Sequence, residues 1–135
     1  MINIKYLSIK NLVMLEDKVI RLDAIHEKKV GYHTRSDRIT WVRPNEINPI
    51  PLVPTFLEGL GFERNPCLSI PTLCYIDQKT EEEIQCIFRK NGTIDIAIWN
   101  KEDKEIVKIW TIKYVHEFQN ILRYSKIESD LVSRI

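Results

Sequence analysis

Asn91-Gly92 stands between two alternating runs, Ile84-Gln85-Cys86-Ile87-Phe88-Arg89 and Ile94-Asp95-Ile96-Ala97-Ile98-Trp99. That dipeptide is a strong short-range hairpin signal, because the favoured tight turns need positive φ at both central residues. It commits this part of the chain to antiparallel β structure. Period-two alternation puts Ile94, Ile96 and Ile98 on one face and Asp95, Ala97 and Trp99 on the other. A charged turn over residues 101–105 leads to a third run, residues 106–112. Leu73-Cys74-Tyr75-Ile76, preceded by Pro66 and Pro71, suits an edge strand. Together these predict a three- or four-stranded meander.

Residues 10–43 alternate differently, as several short strands with charged breaks at Glu16-Asp17-Lys18 and Glu27-Lys28-Lys29. Runs at 12–15, 19–25, 30–33 and 39–42 give four short strands, the pattern of a small SH3-like barrel or curled meander. Gly31 would relieve crowding where such a sheet bends.

Pro44, Pro49 and Pro51 make the next stretch an extended connector. Pro54 then suits the first position of a short helix carrying Phe56, Leu57 and Leu60, with Gly61 as its left-handed stop. A second helix, from about residue 114 to 131, carries Tyr114, Val115, Phe118, Ile121 and Leu122 on adjoining apolar stripes. It is expected to cover one side of the meander. The fold class expected is α+β: an SH3-like β module over residues 1–52, then a short helix, meander and C-terminal helix over residues 53–135.

The charge balance excludes several function classes. Lysine plus arginine number 20 against 19 acids, so the net charge of +1 creates no global field for nucleic acid or membrane. No apolar run approaches the roughly 20 residues needed to span a bilayer. The first residues lack the basic start and apolar core of a signal peptide. Cys67, Cys74 and Cys86 are odd in number and form no C-x-x-C pair. They read as reduced core thiols in a cytoplasmic protein, with no zinc site and no cofactor expected.

Locally the charge is less even. Lys28, Lys29, Arg35, Arg38 and Arg43 gather around Tyr32, His33 and Trp41, with only Glu27 and Asp37 opposing them. Cations interleaved with aromatic rings suit phosphates and bases, although a solvated face would read the same. On the last helix His116, Gln119, Asn120 and Arg123 fall on one polar face. That face serves either as a ligand or partner surface or as a ridge fixing how the helix docks. Trp99 and Trp110, on adjacent strands, form either a cross-strand pair or a patch for self-association, so a homodimer is one expectation. Phosphate-binding glycine loops, nucleophile elbows and metal-ligand spacings are absent. Binding is therefore expected rather than catalysis, with a small hydrolase or nuclease using His116 as the rival.

Three motifs in order carry a resemblance: Leu7-Ser8-Ile9-Lys10-Asn11-Leu12-Val13, Pro49-Ile50-Pro51-Leu52-Val53-Pro54-Thr55-Phe56-Leu57-Glu58-Gly59-Leu60-Gly61-Phe62, and Val115-His116-Glu117-Phe118-Gln119-Asn120-Ile121-Leu122. They resemble a family of small proteins in phages, prophages and mobile elements of Bacteroidota. Its pattern reads L-R-I-G-N-Y-V, then P-I-P-L-T-E-E-W-L-L-K-F-G-F, then V-H-Q-L-Q-N-L-Y. The resemblance implies an accessory protein in the bacterial cytoplasm, acting on a host protein or a nucleotide in takeover or counter-defence, with a nucleic-acid-binding module as the alternative. Lys10 departs from the pattern's glycine, and Val53-Pro54-Thr55-Phe56 from its T-E-E-W.

Overall fold

The computed structural model describes all residues except 1, 35–37, 66–69, 78–80, 101–104, 125–130 and 132–134, and for 100 and 105–108 the backbone only. In chain order the elements are β1 (Leu12–Leu15), β2 (Lys18–Arg21), β3 (Ala24–His26), β4 (Lys29–His33), β5 (Ile39–Val42), β6 (Ile47–Asn48), α1 (Pro54–Gly59), β7 (Glu63–Arg64), β8 (Thr72–Ile76), β9 (Glu82–Phe88), β10 (Ile94–Asn100), β11 (Glu105–Ile112) and α2 (Val115–Tyr124). The fold is α+β with antiparallel sheets. Two compact units share it, one formed by residues 1–51 and 114–121, the other by residues 52–113 and 122–135. The last helix was expected to cover one side of the meander, and residues 115–121 belong instead with the N-terminal strands.

In the first unit the strands make two three-stranded sheets, β2-β1-β6 and β3-β4-β5, and no closed barrel forms among the described residues. The expected strand over residues 19–25 is divided. Leu22 N–H donates to Asn11 O at 2.9 Å, whereas Asp23 N–H donates to Gly31 O at 2.8 Å. The chain thus changes partners between two successive residues and leaves one sheet for the other. Ile2, Leu7, Val13, Ile20, Leu22, Val30 and Ile47 form the buried core of this unit. Two-residue turns close both hairpins, with Glu16 (φ 55°) and Glu27 (φ 45°) in the left-handed region.

The start of α2 is tied to this unit by side-chain amides. Gln119 Oε1 accepts Leu12 N–H at 2.8 Å, and its Nε2 donates to Lys10 O at 3.2 Å. Asn120 Oδ1 accepts from Asn11 Nδ2 at 2.9 Å, and its own Nδ2 donates to Tyr6 O at 2.9 Å. Asn11 Oδ1 in turn accepts Ser8 N–H at 2.6 Å. Ahead of the helix, Tyr114 N–H donates to the Glu117 carboxylate at 3.1 Å, so an orphan first-turn donor is satisfied.

The second unit is the expected meander with one strand more, a five-stranded antiparallel sheet in the order β11-β10-β9-β8-β7. Ile94, Ile96 and Ile98 are buried together with Ile84, Cys86 and Leu73 on the same face. The hairpin at Asn91-Gly92 is present, but only Gly92 takes positive φ, at 86°. Its loop is wider than two residues because Phe88 pairs with Ile94 and Arg89 N–H reaches Thr93 O. Helix α1 begins at Pro54 as expected and ends in Gly61 at φ 103°, where Phe62 N–H caps Leu57 O at 3.0 Å. Leu57, Leu60 and Phe62 are buried, and Phe62 meets Tyr75 at 5.3 Å between ring centroids.

Candidate functional site: a basic and aromatic sheet face

The register of β3-β4-β5 sorts the basic and aromatic segment into two faces. Ile25, Val30 and Val42 lie opposite one another, as do Tyr32 and Thr40. This is the core side, where Ile25, Tyr32 and Val42 pack on the buried cluster. The other face takes His26, Lys29, Gly31, His33, Ile39 and Trp41, since Gly31 pairs with Trp41 and His33 with Ile39. Trp41 is 44% exposed and Ile39 40%.

Gly31 is the floor of this face. A Cβ there would come within 2.5 Å of Ile39 Cγ2 and 3.2 Å of Trp41 Cε3, so both side chains lie over the bare backbone. The relief of crowding expected of Gly31 is thus present. His26 meets the Trp41 ring edge-on, with centroids 6.5 Å apart at 76°. One ring face is thereby braced, and a braced, half-exposed tryptophan costs little entropy to stack upon.

At the end of β4, His33 is fixed by an acid that the sequence reading passed over. Asp23 Oδ2 accepts His33 N–H at 2.8 Å and stands 2.8 Å from His33 Nδ1. The backbone N–H of His33 is the main cause holding the Asp23 carboxyl below its usual range, with the imidazole and Arg21 adding to it. An ionised Asp23 requires the proton on Nδ1, which turns Nε2 away from the carboxylate. Beside this pair runs an open groove of about 690 Å³, lined by Lys18, Arg21, Asp23, Tyr32, His33 and Thr34 over the apolar Val19 and Ile20.

The residues singled out in the sequence are thus only partly gathered. Lys29 and Trp41 share the outer face, Tyr32 lines the groove from the core side, and Lys28 is exposed in the β3–β4 turn. Arg38 is exposed just before β5, where its carbonyl takes Thr34 N–H at 3.3 Å. Arg35 lies outside the described residues. Of the two readings of the helix face, ligand surface or docking ridge, the contacts of Gln119 and Asn120 fit the ridge, since their amides are engaged with backbone and with Asn11, as described above. His116 is 4% exposed, its Nδ1 meets no hydrogen-bond partner, and its ring stacks on Tyr114 at 5.9 Å and 11°. Burial lowers its pKa, with Glu117 opposing. Such a histidine is core, with no access to a substrate. Arg123 belongs to the second unit.

Trp99 and Trp110 do not form one patch. Trp110 pairs with Ile96, and Trp99 stands three residues beyond Ile96 on β10, so period-two alternation sets the two rings on opposite faces of the sheet. Burial keeps the Cys74 thiol protonated, its pKa raised to about 11, and Cys86 is raised further still. Among the described residues, no three or more His, Cys, Asp or Glu side chains are placed to hold a metal ion. No helix among them is long and apolar enough to cross a membrane.

No protein-family model, curated protein or solved structure matches the chain.

Proposed function

We propose that this protein acts by binding, and that the outer face of β3-β4-β5 receives a ligand carrying both an aromatic base and phosphate, a nucleotide or a single strand of nucleic acid. One observation carries the reading: a half-exposed Trp41, braced by His26 over the bare backbone of Gly31, with Lys29 and His33 on the same face. Stacking on a braced ring is worth roughly 1–3 kcal/mol per base and tolerates any sequence, while flanking cations take the phosphates. A net charge of +1 fits a small or single-stranded ligand better than a long duplex, whose capture relies on many cations.

The resemblance to mobile-element proteins suggests the setting, an accessory protein that sequesters a nucleotide signal or an exposed strand during host takeover or counter-defence. The test is titration of labelled single-stranded oligonucleotides and of free nucleotides at several salt concentrations. Binding weakened by salt and lost in Trp41→Ala supports the reading. Binding indifferent to both changes removes this face as the site and favours a protein partner.

A further inference from the structure

Resting on that binding function, we infer that the groove beside β2 is the subsite for the phosphoryl group, with the His33 imidazole as one of its contacts. Lys18 and Arg21 bring two permanent cations to the groove, against the one carboxylate of Asp23. The formal balance of these three groups is +1. Asp23 does more than balance charge. By holding His33 through both its N–H and Nδ1, it sets the ring before a ligand arrives, leaving Nε2 as the free pole. The side chain of His33 is 50% exposed, so the ring is accessible to a ligand.

Among the described residues, these groups surround His33. From β2 come Lys18 and Arg21, from the β2–β3 connection Asp23, and from β4 itself Tyr32 and, farther along the outer face, Lys29. On β5 the residue opposite is the apolar Ile39, with exposed Arg38 just before it, and on β3 His26 stands at the far end of the face. Asp23 is the only acid in this set, and it is already paired.

Distance links the groove to the stacking ring. His33 pairs with Ile39 across the ladder, and Trp41 lies two residues farther along β5 on the same face. Strand spacing and rise put His33 and Trp41 roughly 8 Å apart, within the reach of one nucleotide unit. The ligand class is thus a nucleoside monophosphate, either free or as the 5′ end of a strand, with its base toward Trp41 and its phosphate over Lys18, Arg21 and His33. The groove's volume of about 690 Å³ admits such a group without closure.

The experiment is an NMR titration of the full chain, following the imidazole signals of His33, with adenosine 5′-monophosphate, adenosine and sulfate as probes at several salt concentrations. The expected result is a saturable shift at His33 with the monophosphate and with sulfate, weakened as salt is raised, and none with adenosine. His33→Gln should weaken binding severalfold, and Lys18→Glu with Arg21→Glu should abolish it. Short oligonucleotides with and without a 5′ phosphate separate the two sources, since only a strand-end site prefers the phosphorylated strand over the free nucleotide. An unmoved His33, or unchanged affinity in Lys18→Glu with Arg21→Glu, overturns the subsite. If oligonucleotides still bind through Trp41 in that case, the broader binding function survives. If neither binds, both fail.

Discussion

Asn11 Nδ2 donates to Asn120 Oδ1 at 2.9 Å, joining the residue ahead of β1 to a helix 109 residues later in the chain. Asn11 is fully buried, and its own oxygen holds Ser8 N–H. Asn11→Ala therefore leaves a partly buried amide oxygen of Asn120 and the Ser8 backbone N–H unpaired at once. A loss of about 2 to 3 kcal/mol is expected, read as a lower denaturant midpoint at unchanged slope. A variant within about 0.5 kcal/mol of the parent would show that water replaces these bonds freely.

His116 makes stability depend on pH in a defined direction. Burial lowers its folded pKa below that of the unfolded chain, so the unfolded state binds the proton more readily. Stability is full above the ordinary histidine value of about 6.5 and falls as pH drops from there toward the lower folded value. Urea midpoints should decline between pH 7 and pH 5, and His116→Phe should flatten that decline. The lowered carboxyls of Asp23 and Asp95 act only in more acidic solution. An equal slope in His116→Phe would assign the effect elsewhere.

Lys10 sits at φ 74°, in the left-handed region, and its N–H reaches Leu22 O. The resembled motif has glycine at this position, which adopts that backbone without strain. Lys10→Gly should relieve about 1 kcal/mol of strain, partly offset by the freer unfolded chain. The expected readout is a melting temperature raised by one to a few degrees, on the order of the usual conversion for a domain of this size. A clear drop would mean that the lysine side chain contributes more than its backbone costs.

What was legible in the sequence, and what was not, divides by range. Alternation at Ile94, Ile96 and Ile98 and the Pro54 to Gly61 helix signal are local, and the structure has both. Residues 19–25 alternate evenly, so nothing local marks the change of sheet between Leu22 and Asp23. That change is set by which distant carbonyl, Asn11 or Gly31, takes each N–H. The same holds at the site. Tyr32, His33 and Trp41 were visible as a basic and aromatic cluster, but Asp23 joins them only through a register that brings β4 alongside it. Lys18 and Arg21 read as turn and strand charges until the groove places them beside His33. Gln119 and Asn120 were visible as a polar ridge, and only the contacts with Leu12, Lys10, Asn11 and Tyr6 show that the ridge faces inward.

Gly31 offers a way to disturb the stacking ring without touching it. Its backbone φ is not in the left-handed region, so Gly31→Ala carries no backbone strain. The new methyl group would meet Ile39 Cγ2 and the Trp41 ring, both of them side-chain atoms at an exposed face. Because Ile39 Cγ2 is held close to its own backbone, stability should fall by about 1–3 kcal/mol, the scale of overpacking, while affinity for single strands drops severalfold. Unchanged affinity would detach the floor from binding.

The role of the β3-β4-β5 face is tested most directly by making Trp41 its own reporter. With Trp99→Phe and Trp110→Phe in place, Trp41 is the sole tryptophan of the chain. Stacking of a base on that ring predicts saturable quenching of its emission by a short single strand, with an apparent affinity that weakens as salt is raised. Emission that stays constant while the strand is shown by anisotropy to be bound would contradict the stacking face outright.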